Sequence, residues 1–195
     1  MKHLAFLLLT ALLLGLAGGA RADIGRGFDL FERGRYDEAA SELTALAEAG
    51  IPEAQYLLGV MYFNLMVKPP EASAALSMLT AAAESGYLPA QTELARIYRA
   101  GDGVEQDFVQ MMAWYERAAE QGDVGAQLFV ADGYGYGYGV EPDLVEAYKW
   151  YEIAIQYWGS LAVRARDVLA EKMTGEEIAE AVRLAGGWLA SRPRN

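Results

Sequence analysis

The sequence predicts an all-α protein: an α-α superhelix, or solenoid, of about three and a half helical hairpins with a C-terminal capping helix. Three observations predict it. Gly50, Gly86 and Gly122 recur at a spacing of 36 residues. The pairs Ala54-Gln55, Ala90-Gln91 and Ala126-Gln127 recur in the same register. So do Tyr62, Tyr98 and Tyr134, and Ala82, Ala118 and Ala154. A fixed period of roughly 20–50 residues marks stacked units, none of which can hide its apolar face alone.

The chain opens on a segment to be set aside from the fold. Lys2 and His3 form a short polar start, Leu4 to Leu16 is an almost unbroken apolar run, and Gly18-Gly19-Ala20-Arg21-Ala22 ends in A-x-A. This is the three-part pattern of a secretory signal peptide, residues 1–22, with cleavage expected between Ala22 and Asp23; cutting after Ala20 is the alternative. A membrane-spanning helix needs about 20 apolar residues, and this run has 13. No stable membrane insertion is therefore expected after cleavage. No cysteine follows that a lipid could modify. The expected location is the periplasm or outside the cell.

Residues 23–49 read as an N-terminal capping hairpin. Phe28, Leu30 and Phe31 supply its first helix, Arg33-Gly34-Arg35 its turn, and Ala39, Leu43, Leu46 and Ala47 its second helix. Residues 50–157 hold the three repeats. In each, a first-helix stripe falls at i, i+4 and i+8: Ala54, Leu58, Tyr62, then Ala90, Leu94, Tyr98, then Ala126, Val130, Tyr134. A second stripe follows: Ala75, Leu79, Ala82, then Met111, Tyr115, Ala118, then Ala147, Tyr151, Ala154. The small alanines let neighbouring helix axes approach.

Gly50, Gly86 and Gly122 stand just past the second helices, where a left-handed residue is favoured. Gly101-x-Gly103 and Gly137-x-Gly139 make the turn inside each hairpin. Asp107 with Gln110, and Asp143 with Glu146, have the spacing of N-caps with a reciprocal partner. Residues 158–195 supply C-terminal capping helices. Ser160 to Lys172 takes the first-helix slot of a fourth unit, with Arg166 at the Val130 position. Thr174 and Glu177 form a capping box for a last helix, whose Ile178, Val182, Ala185 and Leu189 make one apolar stripe. Gly186-Gly187 weakens that helix near its end. No low-complexity linker divides residues 23–195, so one domain is expected.

Without residues 1–22 the chain holds 14 basic and 27 acidic residues, a net charge near −13. Nucleic-acid affinity rests on basic neutralisation of phosphates, so nucleic acid is excluded as a partner. The single histidine, His3, lies in the signal segment, and cysteine is absent. That removes Ser–His hydrolysis and zinc sites, and no calcium-type loop is present. No catalytic residue, cofactor or metal site is expected. Glu116, Glu152 and Glu176-Glu177 read as a solvated face.

The repeated residues A-x-x-G-[IYD]-x-x-A-Q, Y-x-x-G-x-G-V-x-x-D and A-x-x-[WK]-[WY]-Y-x-x-A-A stand together in the best copy, at Gly86 to Gln91, Tyr98 to Asp107 and Ala113 to Ala119. They resemble the Sel-one-like repeat family, relatives of the tetratricopeptide hairpins. The lead-in Phe31-Glu32-Arg33-Gly34-Arg35-Tyr36 is similar to that of exported bacterial members. The resemblance covers residues 28–157. It implies a non-catalytic scaffold for protein–protein contact and no catalytic residue to carry over. Two departures stand out: Leu65-Met66-Val67 replaces the first Gly-x-Gly, and Gly133 and Gly135 are expected to loosen the first helix of the third copy.

These departures supply the candidate contact residues for an unidentified protein or peptide. In the run Tyr134-Gly135-Tyr136-Gly137-Tyr138-Gly139, Tyr136 and Tyr138 are either rings on a flexible turn, free to stack on a peptide or sugar, or packed across the next hairpin. Leu65 and Met66 are either an exposed apolar contact or buried against the N-terminal unit. The scaffold is expected to hold its partner through its concave groove, and Gln55, Gln91 and Gln127 either line that groove or make a structural hydrogen bond at each repeat junction. Trp114, Trp150, Tyr115 and Tyr151 recur at helical spacing as core. A cell-wall sugar binder, or an envelope enzyme such as a hydrolase, is the competing class.

Overall fold

The computed structural model describes residues 24–69 and 73–192; the expected signal peptide lies outside the described residues. Helices follow one another in antiparallel order, and no strand occurs among the described residues. They are α1 (24–32), α2 (Tyr36–Glu48), α3 (Pro52–Phe63), α4 (Ala74–Glu84), α5 (Leu88–Ala100), α6 (Phe108–Glu120), α7 (Val124–Tyr136), α8 (Leu144–Trp158), α9 (Ser160–Ala170) and α10 (Gly175–Ala190). The architecture is an α-α solenoid of consecutive hairpins, as the 36-residue period predicts. The chain divides into two compact units, Met1–Ala90 and Gln91–Asn195, with the boundary inside α5.

In the first unit α2 packs on α3 and α3 on α4. Its core joins Leu30, Leu43, Leu58, Met61 and Leu79, with Ala39, Ala54 and Ala82 fully buried between the helices. Gly27 is there for space: a Cβ would lie 2.6 Å from a Leu43 methyl carbon. In the second unit α6 packs on α7, α7 on α8, and α8 on both α9 and α10. The second-helix stripes Met111, Tyr115, Ala118 and Ala147, Tyr151, Ala154 are buried, as are Trp114 and Trp150. Small residues at helix crossings let Leu, Met and Ile fill the remaining space at close-packed density.

A left-handed residue follows each of seven consecutive helices. Gly34, Gly50, Leu65, Gly86, Gly101, Gly122 and Gly137 all carry left-handed φ angles, from +55° to +96°. From Gly50 onward their spacing alternates between 15 and 21 residues, one 36-residue period. At Gly86 the N–H donates to the Ala83 carbonyl (3.0 Å), and the next N–H, of Tyr87, donates to the Ala82 carbonyl (3.0 Å). Gly122 and Asp123 repeat these bonds to Ala119 and Ala118. They satisfy carbonyls that a helix end leaves open.

The first repeat keeps this turn without glycine. Leu65 takes φ +55°, its N–H donates to Tyr62 (3.2 Å), and Met66 N–H donates to Met61 (2.9 Å). A left-handed conformation costs an L-residue about 1–2 kcal/mol, so the turn is strained but formed.

Three expectations are revised. Gly133 does not loosen α7, which runs unbroken to Tyr136. Instead it makes room for Met112, whose Sδ would stand 2.3 Å from an added Cβ. The reciprocal leg of two capping boxes is absent. Asp107 accepts from the Val109 and Gln110 N–H groups, and Asp143 from those of Val145 and Glu146. Their own N–H groups, however, already donate to the Tyr98 and Tyr134 carbonyls (both 3.0 Å), which leaves nothing for a side chain at N3 to accept. Glu146 pairs with Lys149 instead. Only Thr174 and Glu177 form the complete box, whose bonds hold the Glu177 carboxyl below the usual carboxylate range.

The third revision concerns α10. Its buried line runs through Ala181 and Ala185 toward Trp188, while Val182 is 45% exposed. The cause is its docking on α8. Trp188 meets Trp150 edge-on at 5.6 Å, and its indole N–H donates to Glu120 (2.9 Å). Arg192 lies 3.7 Å over the Trp188 ring.

Leu65→Gly is expected to stabilise the protein by about 0.5–1 kcal/mol, the relieved strain less the extra freedom of the unfolded glycine. Urea denaturation at unchanged m-value checks it.

Candidate partner-binding surface

The alternating glycines of the Tyr-Gly run have separate jobs. Tyr136 is the last residue of α7, and Gly137 (φ +77°) turns the chain. The N–H groups of Gly137 and Tyr138 both donate to the Gly133 carbonyl, at 2.8 and 3.0 Å. Gly139 (φ +74°) then presses against the start of α6: an added Cβ would stand 2.0 Å from the Phe108 carbonyl oxygen. No other residue fits there. The turn is therefore pinned rather than flexible, and it carries its rings in fixed positions.

Those rings form an exposed cluster. Tyr136 is 65% exposed and Tyr138 51%. Their centroids lie 5.6 Å apart, and Phe108 lies 6.4 Å from Tyr138. Phe108 and Val109 are themselves exposed on the first turn of α6. Exposed aromatic side chains gathered in one place offer large contact area at small entropy cost. Neither tyrosine is packed away under a following hairpin. Phe108 and Val109 escaped the sequence reading. The signal that could have found them is Gly139, whose left-handed backbone implies a close approach by another segment.

Beneath this surface the neighbouring carboxylates are engaged. Tyr134 donates to Glu116 at 2.6 Å, and Tyr151 donates to Asp132. Burial first, then these hydrogen bonds, raise both phenols well above their ordinary value of 10.0. Glu152 is held by Arg166 at 2.7 Å, and Arg166 is an ion-paired, half-buried group. Glu116 and Glu152, read as solvated, are thus structural acceptors.

The remaining candidates separate. Leu65 is 79% exposed and Met66 37%, a small apolar projection in the first unit. Gln91 and Gln127 are buried, at 3% and 1% exposure. The Gln127 amide donates to the Ala119 carbonyl at 3.4 Å, and Gln55 donates to Ala47 at 3.2 Å. Gln91 accepts from Gln121 at 2.7 Å. Of the three glutamines, only Gln55 keeps accessible surface. Among the described residues no group of three or more carboxylates could hold a metal ion, and no helix is long and apolar enough to cross a membrane.

Repeated helical hairpins, each turned on a left-handed residue, and a recurring Ala-Gln junction define an α-α repeat protein. The family can be named from its repeats. The model of the Sel1 repeat matches residues 52–87, 88–123 and 124–156, and the chain belongs to the Sel1 repeat family. Among solved structures, a Sel1 repeat protein from Oxalobacter formigenes is 35% identical. That match covers 65% of this chain and 96% of that one, at a TM-score of 0.58. A protective antigen present in uropathogenic Escherichia coli strains, which displays an SLR fold, is 24% identical with a TM-score of 0.56. The match covers 88% of this chain but 45% of the antigen, and it is a likeness of fold alone. No curated protein matches. Sel1 repeats generally serve as scaffolds for protein interaction.

Two outcomes are expected. Gly139→Ala should destabilise the protein by at least about 1–3 kcal/mol, from its left-handed backbone alone, as read by thermal unfolding. The raised phenols make a stabilising contribution that is complete below about pH 10 and lost as pH climbs toward their folded-state values. Stability should therefore fall above pH 10, and the fall should be smaller in Tyr134→Phe plus Tyr151→Phe, measured by urea titration across alkaline pH.

Proposed function

We propose that this chain is an exported, non-catalytic scaffold that holds another protein or a peptide through the aromatic surface at the turn inside its third repeat. One observation carries the reading: Phe108, Tyr136 and Tyr138 stand exposed together on a turn pinned by Gly139. A surface of this kind loses little freedom on binding, because the protein has already ordered it.

Family membership supports the scaffold role, and the segment Lys2 to Ala22 supports export. The reading as a non-enzyme draws on composition. His3 would leave with the signal peptide, there is no cysteine, and Glu116, Asp132 and Glu152 are each committed to a hydrogen bond or ion pair. General acid–base work needs a free group at a cleft. Leu65 and Met66 offer a second, smaller apolar contact in the first unit. Gln55 is the one junction glutamine that a partner could still reach.

The test is capture of partners from envelope extract by the purified protein and by its Tyr136→Ala plus Tyr138→Ala variant. A discrete protein retained by the wild type and lost from the variant is the expected result. Equal capture by both would contradict the reading, as would retention of isolated glycan strands with no protein.

A further inference from the structure

The charge around this surface is one-sided. Between Ala100 and Tyr148 the chain carries ten carboxylates and a single cation, Arg117. That arginine lies 4.6 Å over the Trp114 ring, covering a core side chain. Most of the ten acids have work inside the fold. Asp107, Asp123 and Asp143 cap helices, Asp102 pairs with Arg96 and Glu146 with Lys149, Glu116 and Asp132 accept from tyrosines, and Glu120 meets Trp188. Two do not. Glu105 and Glu141 are exposed and form no ion pair or side-chain hydrogen bond among the described residues. They hold the same slot of consecutive repeats, 36 residues apart, on the loops that lead into α6 and α8. Phe108 opens α6, and the second of these loops presses Gly139 against it. Each unpaired acid stands three residues along the chain from an exposed ring, Glu105 from Phe108 and Glu141 from Tyr138.

We infer that this surface takes a flexible lysine- or arginine-rich segment of a partner protein. The inference rests on the reading of Phe108, Tyr136 and Tyr138 as the partner surface. A cation set on a tyrosine face is attracted by the ring quadrupole, and a second cation on the same segment meets Glu105 or Glu141. The surplus of negative charge steers such a segment in and repels an acidic one. A neutral sugar would gain stacking and leave both acids without a counter-charge. Binding of a basic segment weakens with salt, because exposed pairs are screened beyond about 8 Å at physiological ionic strength.

The test has two arms, both on the purified chain. In the first, labelled peptides of alternating glycine with lysine, glutamate or serine are titrated and followed by fluorescence anisotropy. The lysine peptide should bind, and added salt should weaken it. It should lose about tenfold or more in Tyr136→Ala plus Tyr138→Ala, a loss typical of interface anchors, and weaken again in Glu105→Gln plus Glu141→Gln. Circular dichroism of each variant checks that it is folded. Equal binding of the three peptides would overturn the inference, as would lysine-peptide binding that is indifferent to the tyrosines.

In the second arm, photo-reactive benzoylphenylalanine replaces Tyr138 in the producing cell. A cross-link to a lysine- or arginine-rich segment supports the inference. A cross-link to a neutral or acidic protein segment overturns it while the scaffold reading stands. Absence of any protein cross-link removes both.

Discussion

A left-handed residue placed after each of the first seven helices is the constraint on which the rest of this structure depends. It reverses the chain in two residues and returns N–H groups to carbonyls the helix has left open. From Gly50 to Gly137 it recurs at alternating intervals of 15 and 21 residues. Those intervals fix helix length and loop length together. Helices of matched length then bring Ala54, Ala126 and their equivalents to the same depth, where close axis approach leaves room only for a methyl group. Packing and the Ala-Gln junction follow from the turn.

The candidate surface is a local elaboration of that turn. In the second repeat the position of Tyr138 is Asp102 and that of Tyr136 is Ala100; in the first they are Met66 and Asn64. All three turns keep a left-handed residue, Leu65, Gly101 or Gly137, while the side chains on either side of it change. Turn side chains can vary between repeats in this way because they face outward and leave the shared core untouched. Gly139 joins the two roles, because the approach that admits only glycine also sets Tyr138 beside Phe108.

Most of the fold was legible because periodicity repeats each signal. Three glycines in register identify a C′ position where one would not, and stripes such as Ala75, Leu79, Ala82 name a buried face without coordinates. What escaped depended on contacts that no period encodes. The turn at Leu65 was placed by register, but its left-handed conformation was not, because the residue type argues against it. The capping boxes at Asp107 and Asp143 lost their second leg to carbonyls of the preceding helix, a partner set by the loop path. Gly133 read as a weak point, whereas Met112, distant in sequence, fills the space it leaves. The tilt of α10 followed from Trp188 reaching Trp150 and Glu120. At the surface the tyrosines were visible in the sequence, but Phe108 was not, since its neighbour across the loop is determined by Gly139.

The central claim is that every repeat turns on a left-handed residue at this position, whatever its type, and Leu65 is where that claim is most exposed. Backbone NMR measures it directly through the N–H to Hα coupling, the strength of the intraresidue N–H to Hα cross-peak and the Cα shift. The account predicts a positive φ at Leu65, matching Gly101 and Gly137. A helical or extended Leu65 in the folded protein would contradict it.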